Sequence, residues 1–437
     1  MHRLVAWVAL IALACTGVAA KAAEPQGSDP WVDSHLDELV ALYQFLHVHP
    51  ELSFKEVNTA QRMAEELKKT GAEVTTGVGK LGVVGMMRNG QGPTVLVRTD
   101  LDALPVTEET GLQFASKVTT IDDDGNKVGV MHACGHDIHM TSLIGTARWL
   151  ADHKDRWAGT VVLIGQPAEE KIGGAKQMLA DGLYTRFPRP DFALALHVIE
   201  DMETGKIGYH SGPAMAGSTS VDVIVRGKGG HGAKPHGTID PIVLAALLIV
   251  DWQTIVSREI NPIEPAVLTV GSIHGGTKHN IIPNEVRLQL TLRAFRDEVR
   301  DALVDGIKRR SSALAQAHRA PAPSFAITDS TPPTINTPSL VKRVVPALAK
   351  AVGESNVVEI EPTMGAEDFG LFGQGGVPTF MFRLGSIPPA RVAEAKAKGE
   401  TLPSLHSALY HPDAPATLRT GIRAMTSAVV ALLPPKS

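Results

Sequence analysis

The chain has 437 residues, 43% of them hydrophobic and 20% charged, a balance that suits a soluble globular protein. Its formal charge of −4 offers none of the basic excess that nucleic-acid binding favours. The length exceeds what one core usually serves and predicts two domains.

Residues 1–23 read as a signal peptide. Arg3 gives a positive start, Leu4 to Ala20 carries no charged side chain, and Ala20-Lys21-Ala22 matches a small-residue cleavage site. An uncleaved anchor is one alternative, because the apolar run is of borderline length for a span. Lipidation of Cys15 is another, and Ala12-Leu13-Ala14 is a poor match to it. The expected product is exported, periplasmic or secreted, with no membrane attachment once the signal is removed. Of the two cysteines only Cys134 would remain, so no internal disulfide can form.

Next come two predicted helices. One covers about 33–46, with Leu36, Leu39, Val40 and Phe45 at helical spacing; the other lies near 59–70. Short apolar runs follow at 82–87, 94–98, 160–164 and 192–196, each bounded by Gly, Pro or polar residues and several separated by helical stretches. That alternation predicts an α/β domain, a mostly parallel sheet with helices on its faces, whose chemistry sits at the carboxyl ends of the strands. Asp100, Glu169 and His197 each follow such a run. From about 218 to 327 the pattern changes to strands at 220–226, 266–274, 285–295 and 324–327 with helices at 241–259 and 297–318, a self-contained α+β sandwich. After Pro332-Pro333 the first pattern resumes. The expected division is therefore 31–214 and 329–437 for the larger domain, with 215–328 inserted into it. Asp122-Asp123-Asp124 reads as a solvated loop tip.

The densest chemistry is His132-Ala133-Cys134-Gly135-His136-Asp137-Ile138-His139. Cys134 and His136 can reach one ion if the backbone turns at Gly135, and thiolate with imidazole suits zinc and related ions. Glu169 and Glu170 form an adjacent pair after a strand, where one carboxylate can hold a metal while the other stays free as a base. His197 and His406 are weak signals singly. With Cys134, His136 and Glu170 they make a set large enough for two ions and a bridging water. Asp100 and Asp102 close a strand, where a carboxylate can orient a metal-binding histidine.

In this order the pieces resemble the aminoacylase-type co-catalytic metallopeptidases. They look most like the amidohydrolase branch that includes hippurate hydrolase and the plant indole-acetyl-amino-acid hydrolases. The matching stretches are His49–Phe54, Arg98–Pro105, His132–Asp137, Gln166–Glu170, Gly229–Ala233, Asn280–Pro283, Gly365–Phe369 and His406-Ser407. The resemblance implies a di-zinc-peptidase fold with a lid that also pairs two subunits into a homodimer. It places Cys134, His136, Glu170, His197 and His406 on metal-ligand positions, Glu169 on the general base and Asp102 on the orienting carboxylate. His231 falls on a lid residue that reaches across the dimer to steady the oxyanion, and Asn280 and Arg293 fall where the lid meets the substrate's carboxylate. Two divalent ions are implied: zinc, manganese, cobalt or nickel. The implied activity is hydrolysis of small N-acyl amino acids. A dipeptidase or carboxypeptidase on the same fold is the alternative, and a binding protein that kept the scaffold is a third reading, opposed by the complete ligand set.

Two departures from that pattern concern the substrate. The segment 116–130 looks longer than in short cytoplasmic relatives and precedes the metal cluster, and Ala408-Leu409-Tyr410-His411 stands where many relatives have Pro and Phe.

Overall fold

The computed structural model describes residues 29–435; the expected signal peptide, with Cys15, lies outside the described residues. Helix α1 (Pro30–Val48) starts where the Asp29 carboxylate accepts the N–H groups of Trp31 and Val32, with Pro30 in the first turn, where its missing N–H is not needed. Val32, Leu36, Leu39, Leu42, Tyr43 and Leu46 face inward. Phe45, expected on that face, is exposed: the helical period carries it past the edge of the stripe, and it packs beneath the Arg62 guanidinium at 4.3 Å.

In chain order there follow α2 (Val57–Lys69), β1 (Glu73–Val78), β2 (Gly82–Asn89), β3 (Thr94–Asp100), α3 (His136–Asp152), β4 (Gly159–Gln166), β5 (Phe192–Glu203) and β6 (Ile207–Tyr209). Next are β7 (Gly217–Arg226), α4 (Pro241–Arg258), β8 (Ala266–Gly275), β9 (Glu285–Ala294), α5 (Asp297–Ala317) and β10 (Ser324–Thr331). The chain ends with α6 (Pro338–Val352), β11 (Val357–Glu359), β12 (Thr379–Ile387) and α7 (Ala414–Leu432).

Eight strands form one sheet in the order β1-β2-β4-β3-β5-β12-β6-β11. Its centre, β4-β3-β5-β12, is parallel, whereas β1, β2 and β6 pair antiparallel toward the edges. The central strands are apolar on both faces because both are covered. Val95, Val97 and Leu163 face α1, α3 and α7, while Leu96, Val162 and Ile164 face Ala175, Met178, Phe369 and Phe372. β3 and β4 end side by side at Asp100 and Gln166, and β3, β4 and β5 bring Asp100, the Glu169 loop and His197 to the same level of the sheet.

The inserted segment has its own core. Strands β8-β9-β7-β10 form an antiparallel sheet. In β9, Val286, Leu288, Leu290 and Leu292 point inward and alternate with exposed Arg287 and Gln289. They meet Leu244, Leu248 and Trp252 of α4 and Leu303 and Ile307 of α5. One helix among the described residues, α4, is long and apolar enough to cross a membrane by length and composition. Its inner face belongs to this core, while Ile242, Val243, Leu247 and Val250 stay exposed on the outer face.

Candidate active site

Gly135 has φ 73°, the left-handed turn expected between Cys134 and His136, and a Cβ there would lie 2.6 Å from Cγ2 of Val198. The turn places Cys134 before α3 and His136 in its first turn. The His136 Nδ1–H donates to the main-chain carbonyl of Asp102 at 2.8 Å, which leaves Nε2 facing the site, buried and without a partner. His197 sits inside β5, which continues seven residues beyond the expected end at 196. Its Nδ1–H donates to the carbonyl of Val198 at 2.7 Å, and Nε2 lies 3.6 Å from the Cys134 sulfur. His406 takes a left-handed backbone, φ 66°, fixed by its N–H on the carbonyl of Ala133 at 2.9 Å. Its Nε2 is 3.5 Å from Oε1 of Glu170, which is itself 3.8 Å from Nε2 of His136.

Glu169 and Glu170 hang on Asp102. Its carboxylate accepts the N–H of Glu169 at 3.1 Å, the N–H of Glu170 at 3.0 Å and the Ser53 hydroxyl at 2.6 Å. Asp102 was expected to orient a ligand through its carboxylate. It orients His136 chiefly through its main-chain carbonyl, with the carboxylate Oδ1 farther off at 3.5 Å. Behind the glutamates Arg98 is buried among Asp100 (2.7 Å), Glu367 (2.7 Å) and Asp368 (3.3 Å).

The cluster suits divalent cations. Cys134, His136, Glu170, His197 and His406 occur in overlapping groups of close donor atoms, one of which Glu169 shares with His136 and Glu170, and both His136 Nε2 and Glu170 Oε1 are buried without a hydrogen bond among the described residues. Burial, aided by Glu170 and Glu169, pushes the Cys134 thiol well up, and burial pushes Glu170 up to about 7. Glu169 is held well above the usual carboxylate range, first by burial and then by Glu367 and Glu170. A cation among these groups reverses that order and favours the ionised ligands.

Not every expected residue converges. His139 shares a donor group with Asp100 and His136, yet both its ring nitrogens are occupied: Nδ1–H donates to Asp100 at 2.8 Å and Nε2 accepts the N–H of Val198 at 2.9 Å. It is a bracket between β3 and β5. His132 is buried outside the donor groups, with neither ring nitrogen hydrogen bonded. A cavity of about 630 Å³ opens beside the cluster, lined by Cys134, Glu169, Glu170, His197 and His406 together with Arg293 of the inserted segment. Arg293 is tethered there by Nη1 on the Met364 carbonyl at 3.0 Å. His231 and Asn280 do not line this cavity; His231 is exposed on the inserted segment, where Nδ1 accepts the N–H of Ala233. The acidic tip at Asp123 is exposed and pairs with Lys55 and Lys171, so it is a solvated tip that ties the 116–130 segment to the residue after Glu170. Sequence reasoning gave no role to Arg98, Glu367 or Asp368, although all lie in the matching motifs, and missed Arg383, the lone charge in the apolar run of β12.

Donors of this kind, gathered at the carboxyl edge of a parallel sheet beside a spare carboxyl group, define a metal-dependent hydrolase. The chain belongs to Peptidase family M20/M25/M40, whose model matches residues 96–405. It is 39% identical to Thermostable carboxypeptidase 1 of Saccharolobus solfataricus over 350 residues, 79% of this chain and 85% of that protein. It is 36% identical to N-acetyl-L-cysteine deacetylase of Bacillus subtilis over 342 residues, 77% of each. Among solved structures it resembles the YXEP protein of Bacillus subtilis, a dinuclear metal binding peptidase of the M20 family. That likeness has a TM-score of 0.75 and 28% identity, covering 92% of this chain and all of the other. The protein is thus a metal-dependent amidohydrolase.

Proposed function

We propose that the protein hydrolyses the amide bond of small N-acyl amino acids, releasing a carboxylic acid and the free amino acid. The observation that carries this reading is the spare carboxyl group of Glu169 beside the donor cluster, in a cavity that also receives Arg293. Cys134, His136, Glu170, His197 and His406 would hold the two cations, which when bound supply Lewis acidity and lower the pKa of water. Glu169 accepts the proton of the attacking water and returns it to the departing nitrogen, which leaves poorly unless protonated. Asp102 fixes the glutamate loop, so the proton moves between groups already in place. Arg293 meets the carboxylate next to the scissile amide. His231 and Asn280 act from the inserted segment of a second copy, the segment serving as lid and dimer contact; the exposed apolar face of α4 and the position of His231 outside its own cavity support this. Export through residues 1–23 is proposed on the sequence pattern.

A second reading, a dipeptidase or carboxypeptidase, is favoured by Glu200, Asp201 and Glu361. They line the same cavity, have no ion-pair partner among the described residues and suit a substrate's ammonium group. One assay separates the two: amine release by the metal-replete protein from N-acetyl, N-benzoyl and N-indoleacetyl amino acids beside plain dipeptides, with and without chelator. Chelator-sensitive release from the acyl amino acids is expected. Release from dipeptides alone would transfer the protein to the second reading.

A further inference from the structure

Arg383 lies in β12, which pairs in parallel with β5 and sets Arg383 beside His197. Its neighbours along the strand, Phe380, Met381, Phe382 and Leu384, are buried and apolar. The side chain lines the same cavity as Glu169 and His197. Its single hydrogen bond among the described residues runs from Nη2 to the thioether of Met215 at 2.7 Å, a weak acceptor for a group with five donors. No described carboxylate is in ion-pair contact with it. Burial draws its pKa below the usual arginine range, against a longer-range pull from Glu367, Cys134, Glu200 and Glu169.

Arg98 shows what a structural arginine looks like in this protein. It is buried at the same sheet edge, but Asp100, Glu367 and Asp368 surround its charge and Gln166 accepts from Nε at 2.9 Å. Arg383 has no such answer among the described residues, and its side chain lines the cavity. A guanidinium fork with free donors is matched in geometry and charge by a carboxylate. The cavity therefore holds two cationic side chains, Arg293 from the inserted segment and Arg383 from the sheet. A monocarboxylate substrate satisfies one of them.

We propose that Arg383 is a specificity-determining residue that binds a second carboxylate on the substrate, so that dicarboxylic N-acyl amino acids are preferred. The second carboxylate belongs either to an acidic side chain or to the far end of a dicarboxylic acyl group. This rests on the N-acyl amino acid reading given above. Glu200, Asp201 and Glu361 line the cavity too: Asp201 and Glu361 are exposed, where water and salt screen their repulsion of an incoming anion, and half-buried Glu200 supplies the repulsion that the Arg383 fork has to outweigh.

The test uses the intact, metal-replete protein and two matched pairs: N-acetyl-glutamate against N-acetyl-glutamine, and N-succinyl-leucine against N-acetyl-leucine. In at least one pair the dicarboxylate should show the higher kcat/KM, by about tenfold or more, and Arg383→Met should bring that ratio down to about one. Arg383→Lys, which keeps the charge and loses the fork, should retain part of the preference. A wild-type protein indifferent within both pairs would overturn the proposal, and so would an Arg383→Met variant that slows both members equally. The wild-type ratios and the lysine variant decide the matter even if the methionine variant does not fold. Hydrolysis of no member of either pair would instead overturn the N-acyl amino acid reading on which the proposal stands.

Discussion

Glu169 and Cys134 separate two roles within one buried cluster. Glu169 is close to His136, with Oε2 3.9 Å from Nε2, but the donor atoms without partners belong to His136 and Glu170. Glu169→Ala should therefore keep both metals and the fold while lowering kcat by about 1,000-fold, the scale of a lost general base. Turnover measured beside metal content checks this; a variant that retained most of its rate would remove Glu169 from the mechanism. Cys134→Ala takes away a proposed ligand, so metal affinity should weaken by about tenfold or more in equilibrium dialysis. Unchanged affinity would show that the sulfur is only a small buried side chain. Both residues were legible in the sequence because they are chemically distinctive and locally clustered. Arg383 was not, since its meaning lies in the absence of a partner, which only the folded cavity reveals.

Elements, too, differ in how plainly the sequence announced them. Three of the central strands, β3, β4 and β5, and both long helices of the inserted segment were legible from apolar patterning, because burial on one face or both writes that pattern directly, whereas β12 was not singled out. β1 was missed: it is a mostly exposed edge strand, and Glu73, Thr75, Thr76 and Gly77 carry no such signal. The long-range tie between α1 and α3 was invisible as well. In the last turn of α1, His47 donates to Asp137 at 2.7 Å and lies 3.2 Å from Glu108, all three buried side chains. Burial alone would lower the histidine, but the hydrogen bonds to Asp137 and Glu108 win and raise it to about 9. A raised histidine gives stability that is fully present below its unfolded value and is lost as pH rises through the folded one, here from about 6.5 to 9. Wild type should be more stable than His47→Ala by roughly 3 kcal/mol near pH 6, the scale of breaking a buried pair. That advantage should shrink toward pH 9.5 in urea unfolding of the metal-saturated protein. An advantage constant across the range would mean that His47 is neutral throughout.

At the scale of the whole molecule, the cavity within one chain lacks two of the residues proposed to act in it. Arg293 reaches it, whereas His231 and Asn280 sit elsewhere on the inserted segment. The outer face of α4 carries Ile242, Val243, Leu247 and Val250, with Val250 69% exposed, a stripe that a second copy would cover. If that copy also delivers His231, assembly and catalysis are one event, and Val250→Glu should yield both a monomer by light scattering and a large loss of kcat. A sharper experiment mixes two inactive variants, Glu169→Ala and His231→Ala, under conditions that let subunits exchange. Each mixed dimer then has one complete site, made of Glu169 from the subunit lacking His231 and His231 from the other. Random pairing should restore about one quarter of wild-type activity. Activity that stays absent after exchange would confine His231 to its own subunit or remove it from catalysis, and the lid would then have to close on its own cavity.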